Sequence, residues 1–322
     1  MILPWPNYSL DKGRCALKHA SILTPKPNGS FSVSLNPMKL ADTLRIDPYA
    51  PTHTNHAVMI SLAVNCTPPA TAAIEDSHFT GTIPNGTFEA FKLQACRDVD
   101  YGRTQDPRAF PVILFSPGAG TPRLYYGALA QSLASSGYAV ITIDHPYDAD
   151  VVEFPDGTLV FNANITLDIP SLKKVVLTRV SDATMYGHSL GGATAIAAVE
   201  KDSRLSGGAE MDGSLFLIDQ DIYKLVILFG REDHNRSTDT SWADAWGHFK
   251  GWKRELDLTA EVTQRISCIQ NILGAFMGLV LKETNEKLLE GPGQLILRCT
   301  FTLKRGLLAT LPFDKSERCG ER

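Results

Sequence analysis

The stretch Tyr186-Gly-His-Ser-Leu-Gly-Gly-Ala-Thr-Ala195 decides how this chain folds. It holds the pattern Gly-x-Ser-x-Gly at Gly187-His188-Ser189-Leu190-Gly191, and the chain changes character across it. Asp182 to Tyr186 leads in as a short strand, while Leu190 to Glu200 is Ala-rich with helical spacing. A strand that turns at once into a helix leaves little room for side chains two residues before and after the turn. Glycines at both places let the chain bend sharply and lift the Ser189 hydroxyl over the sheet edge. The same pentapeptide can open an ordinary helix by chance; the strand–turn–helix context favours an exposed nucleophile.

Working outward, Phe110-Pro-Val-Ile-Leu-Phe-Ser116 reads as a buried strand ended by Pro117-Gly-Ala-Gly120. Tyr125 to Ser136 has helical spacing closed by Gly137, and Tyr138-Ala-Val-Ile-Thr-Ile-Asp144 is the next strand. Leu225-Val-Ile-Leu-Phe-Gly230 is another, and His56 to Val64 an earlier one. Strands alternating with helices predict an α/β fold with a mostly parallel central sheet and helices on both faces. Ligands of such sheets bind at the carboxyl ends of the strands. Ser116–Gly120, Asp144–Asp148, Ser189 and Gly230–His234 all fall at such ends, the arrangement of an α/β-hydrolase.

That geometry assigns chemistry to several residues. A serine attacking a carbonyl needs two backbone N–H groups aimed at the developing oxyanion. One comes from the residue after the nucleophile, Leu190, and the Gly-rich loop 116–120 supplies the second at Ala119. It also needs a histidine base oriented by an acid. Asp212, in Gly208-Ala-Glu-Met-Asp-Gly-Ser214, and Asp233, after Leu225–Gly230, compete for the acid role, and periodicity does not choose between them. A lone loop Asp more commonly caps a helix. Only His234 and His248 follow Ser189. His234 lies at a strand end but next to Asp233; His248 lies in Trp242–Trp252, which reads as an amphipathic helix with a surface or packed histidine.

Composition narrows the rest. The 322 residues, 43% hydrophobic and 20% charged, allow one large domain or two small ones. A net charge of −4 without basic runs gives no nucleic-acid footprint. The longest apolar run, Ile272 to Leu281, suits a core helix and is too short for a transmembrane segment. The cysteines show no pair or Cys/His cluster at zinc spacing, so no metal or cofactor is expected. Cys66 and Cys96 flank a Pro-rich loop and read equally as a disulfide or as two buried thiols. The sequons at Asn7, Asn28, Asn65, Asn85, Asn164 and Asn235 fit secretion. The first residues nevertheless hold no apolar stretch with a cleavage site, so localisation stays open.

Residues 1–35 read as an irregular N-terminal arm and 36–258 as the α/β-hydrolase domain, with a long loop from about residue 65 to Pro107. Within that domain the chain resembles the platelet-activating-factor acetylhydrolase-like esterases of fungal type. The resemblance rests on LADTLRIDPYAPTH (40–53), PPATAAIED (68–76), PNGTFEAFKLQAC (84–96), the stretch 111–157, YGHSLGGATA (186–195), MDGSLF (211–216) and GWKRELDL (251–258). It implies a cofactor-free hydrolase of carboxylic esters acting on a small-molecule ester or lipid-like substrate with a short acyl group. It also implies Asp212 over Asp233 as the acid, agrees with Ala119 and Leu190 as oxyanion residues, and favours a Cys66–Cys96 disulfide.

The resemblance stops at Leu258. The family carries its catalytic histidine shortly after the GWKRELDL stretch, where this chain reads Thr259-Ala-Glu-Val-Thr-Gln-Arg-Ile-Ser-Cys268. Three readings of residues 259–322 stay open: an altered reading frame or splice boundary, a degenerate hydrolase, or His234 recruited as the base beside Ser189 and Asp212. The runner-up to an esterase is a non-hydrolytic protein of this fold, used for binding or for a cyclisation or condensation.

Overall fold

A computed structural model describes residues 21–27, 29–62, 67–97, 109–182, 185–231, 233–258, 262–284, 287–290 and 294–297. Its main strands are β1 (Ser34–Ile46), β2 (Asn55–Leu62), β3 (Val112–Ser116), β4 (Ala139–Asp144), β5 (Tyr186–His188), β6 (Gly207–Met211), β7 (Leu225–Arg231), β8 (Lys253–Leu258) and β9 (Gln294–Leu297). They form one sheet in the order β9-β8-β7-β6-β5-β3-β4-β2-β1, with Cys96–Arg97 added beside β1. β2 is antiparallel to β1 and β4; the pairs from β4 through β3, β5, β6, β7 and β8 to β9 are parallel. The expected α/β-hydrolase architecture is therefore present.

The strand order fixes where a site can form. β3 and β5 are neighbours, but the chain leaves them in opposite directions: β3 crosses to β4 through α2 (Gly127–Ser135), and β5 crosses to β6 through α4 (Leu190–Lys201). Right-handed crossovers in opposite directions put these helices on opposite faces. A crevice opens where the direction reverses, at the carboxyl ends of β3 and β5. α3 (Ile169–Val180) packs on α4, and α6 (Val262–Lys282) packs on α2, completing the two layers. Phe115, Tyr186, Ile196, Phe229, Phe276 and Met277 share one buried core. No described helix is long and apolar enough to cross a membrane.

Three differences from the sequence reading have clear causes. The stretch expected as a long loop contains α1 (Pro69–His78). Pro68-Pro69 looks like a turn, yet proline suits the first turn of a helix because its missing N–H would be unpaired there anyway. β1 was unanticipated because Pro37 sits inside it and its residues do not form an apolar run; as a strand near the sheet edge it tolerates both. The amphipathic segment from Trp242 is α5 (Thr240–His248), which stops before Trp252. Cys66 and the Cys96 side chain lie outside the described residues, as does most of the N-terminal arm.

Residues beyond Leu258 contribute α6 and β9 to this architecture. Ile272, Leu273, Phe276 and Met277 lie within the main core. Replacing the fully buried Phe276 by Ala should therefore lower stability by about 3–5 kcal/mol in urea unfolding. An unchanged unfolding midpoint would mean that this helix does not pack on the sheet.

Candidate active site

Ser189 follows β5 directly and precedes the first residue of α4, with φ 52° and ψ −122°. Left-handed backbone is costly for a residue with a side chain, by about 1–3 kcal/mol. The conformation is held because the Ser189 N–H donates to the Met211 carbonyl at 2.7 Å, and its carbonyl accepts from Gly192 and Ala193. The flanking glycines are sterically required. A side chain at Gly187 would begin 2.2 Å from the Gly191 carbonyl carbon, and one at Gly191 would begin 2.1 Å from the Ser116 oxygen. The sharp bend read from Gly-x-Ser-x-Gly is therefore present at the expected position.

The loop after β3 lies against this turn. A side chain at Gly118 would begin 3.6 Å from the Ser189 Cβ, so the two segments are in contact. Among the described residues, the N–H groups of Ala119 and Leu190 make no hydrogen bond. Leu190 is unpaired because the first N–H of a helix has no carbonyl behind it. Arg179, buried on α3, holds the loop from beneath by donating to the Pro117 carbonyl at 2.7 Å and the Gly118 carbonyl at 3.4 Å. The same guanidinium pairs with Asp148 and donates to the Ser116 hydroxyl at 3.3 Å. Tyr126 and His188 close the other side, joined at 2.8 Å from the tyrosine oxygen to Nδ1.

The expected acid and base do meet. The Nδ1 of His234 lies 2.5 Å from an Asp212 oxygen, and Arg231 Nε donates to both oxygens of Asp212 at 3.0 Å. The other face of the ring is occupied: Nε2 lies 2.8 Å from Asp239, and Ser189 is not among the partners of His234. Asp239 itself caps α5 by accepting from the Ser241 N–H. Burial opposes its charge, but hydrogen bonds from Ser214, Ser241 and His234 hold its carboxyl down at about 2. Burial also opposes charge on His234, and the hydrogen bonds to Asp212 and Asp239 outweigh it, raising the imidazole above its ordinary value. A ring placed between two carboxylates donates from both nitrogens, so no lone pair faces Ser189.

The alternatives lie elsewhere. Asp233 pairs with Arg231 and is largely exposed. His248 faces Asp221, and its carbonyl accepts from Ile222, just before β7 begins, at the end of the sheet away from Ser189. Asp239 escaped the sequence reading. Its position immediately before Thr240-Ser-Trp is a helix-cap signal, but nothing in sequence links a cap to a histidine five residues upstream. Beneath Asp212, Glu210 is fully buried and accepts from the Gly213 N–H; burial raises its carboxyl well above the ordinary value.

Comparisons with known proteins agree with the fold. The family model for platelet-activating factor acetylhydrolase, isoform II, matches residues 91–155 and 151–230. A probable 1-alkyl-2-acetylglycerophosphocholine esterase from Arthroderma benhamiae is 31% identical, with 75% of this chain and 75% of that protein covered. Among solved structures, a ferulic acid esterase from Streptomyces cinnamoneus superposes with a TM-score of 0.69 at 23% identity, covering 85% of this chain and 97% of that one.

Because its partners raise the His234 value, their stabilising effect is complete below the unfolded value of about 6.5 and fades as pH rises through the folded value. An NMR titration of His234 should give a midpoint above about 6.5, and Asp239→Asn should bring it down. A midpoint at or below the ordinary value would contradict the double carboxylate clamp.

Proposed function

The chain belongs to the platelet-activating factor acetylhydrolase isoform II family and is by that homology a carboxylic-ester hydrolase, and we propose that it acts through Ser189 as a covalent nucleophile. The observation that carries this reading is Ser189 in left-handed backbone with the unpaired N–H groups of Leu190 and Ala119 on adjoining segments. In the proposed reaction, Ser189 Oγ bonds to the ester carbonyl carbon and passes its proton to His234 Nε2. The tetrahedral oxyanion accepts from Leu190 and Ala119. The bond to the alcohol oxygen then breaks, and His234 returns the proton to that alcohol. Water, deprotonated by the same nitrogen, then bonds to the acyl carbon; the bond to Ser189 Oγ breaks, the proton returns to Oγ, and the acid leaves. Asp212 holds the ring by Nδ1 throughout.

The step requires His234 to release its Nε2 proton to solvent, Asp239 to yield that nitrogen and the ring to turn toward Ser189. In this reading a bound ester drives that exchange. The substrate proposed is an ester with a short acyl group and a lipid-like alcohol, in line with the curated fungal relative. A second reading is supported by the observed clamp: with Nε2 bound to Asp239, Ser189 stays unactivated and the chain is a non-hydrolytic member of its fold.

Labelling with a fluorophosphonate probe separates the two. The hydrolase reading predicts covalent label on Ser189, none in Ser189→Ala, and faster labelling in Asp239→Asn, which weakens the competing partner. It also predicts that Ser189→Ala lowers turnover of p-nitrophenyl acetate by about 10^4-fold or more. Wild-type protein that stays unlabelled would overturn the mechanism and leave the second reading.

A further inference from the structure

Away from Ser189, Glu75 and His78 on α1 meet Asp150, which follows β4, with one ligand atom from each lying within 4.8 Å of the others. Glu75 and His78 are three residues apart on a helix and so share a face. His78 Nδ1 lies 3.7 Å from Glu75 Oε2 and 3.5 Å from Asp150 Oδ2, both longer than a good hydrogen bond. Donors bound at about 2.0–2.1 Å to a tetrahedral ion stand about 3.3 Å from one another, close to these separations.

The cluster also contains an unmet electrostatic demand. The Glu75 side chain is 1% exposed, and its Oε1 has no hydrogen-bond partner. Tyr125 donates to Oε2 alone. A buried carboxylate oxygen without a donor is unfavourable unless the group is protonated or a cation approaches.

We propose that Glu75, His78 and Asp150 form a site for a divalent cation of the zinc class. One imidazole and two carboxylates suit a borderline first-row ion, and three protein ligands leave a fourth position for water. The ion ties α1 to the segment after β4. Asp150 is in turn bound to the nucleophile's surroundings, since its N–H donates to the Gly120 carbonyl at 2.8 Å. The site thus braces the outer end of the loop that carries Ala119.

Isothermal titration of the chelator-treated full chain with zinc chloride tests this without using esterase activity, so its outcome is independent of the Ser189 reading. One zinc ion per chain is expected, with a higher thermal midpoint in its presence. His78→Ala and Asp150→Asn should each weaken binding by about 10–100-fold. Both side chains are partly exposed, and circular dichroism of the metal-free variants checks that they fold. No saturable uptake by wild-type protein, or uptake unchanged in the double variant, would overturn the proposal. So would calcium binding more tightly than zinc, since calcium prefers oxygen ligands.

Discussion

A side chain at Gly213 would begin 2.1 Å from the Ser189 carbonyl oxygen, and one at Gly192 would begin 2.8 Å from the Glu210 carboxyl. Together with Gly187 and Gly191, these contacts enclose the turn on several sides. Backbone meets backbone because no Cβ intervenes, and that closeness lets the Ser189 N–H reach Met211 and stabilise the strained φ. The same packing seats the buried face of α4 against β5 and β6. One sterically tight turn therefore couples the position of the hydroxyl to the central core.

A chain of buried charges sets the height of the neighbouring loop. Arg179, paired with Asp148, supports the Pro117 and Gly118 carbonyls; the Gly118 and Gly120 N–H groups donate to Tyr126 and Asp148, and that of Ala119 makes no hydrogen bond among the described residues. Behind it, the buried Ser116 hydroxyl meets His145 Nε2 at 2.9 Å, while His145 Nδ1 faces Asp182 at 3.3 Å. Burial, together with the Arg179 charge, lowers the His145 value and favours the neutral ring. His56 is the contrasting case: burial opposes its charge, but Asp182 and Asp47 raise it to about 9. Ser116–His145–Asp182 has the residue types of a triad, yet Ser116 is fully buried. It serves as scaffold, whereas Ser189 is partly exposed beyond the carboxyl end of β5.

How much of this was legible in sequence follows from the range of the forces involved. β3, β4 and β7 are buried, and a buried parallel strand must be apolar along its length, so their runs could be read directly. The elbow was legible because steric exclusion of Cβ leaves a glycine at each constrained position. The Asp212–His234 pair was among the alternatives, but Asp233, adjacent in sequence, was a competitor until the fold turned it toward Arg231. Asp239 and the Glu75–His78–Asp150 cluster were not legible. Their contacts join segments that carry no shared periodicity, and only the packing of helices on the sheet brings them together.

The central claim is that the turn at Ser189 presents a nucleophile able to form an ester with substrate. Rapid-quench mass spectrometry of the full chain mixed with p-nitrophenyl acetate measures this directly. The account predicts a transient mass increase of one acetyl group, localised to the peptide containing Ser189 and absent from Ser189→Ala. Ester turnover without acetyl-Ser189, or with the label on another residue, would contradict it.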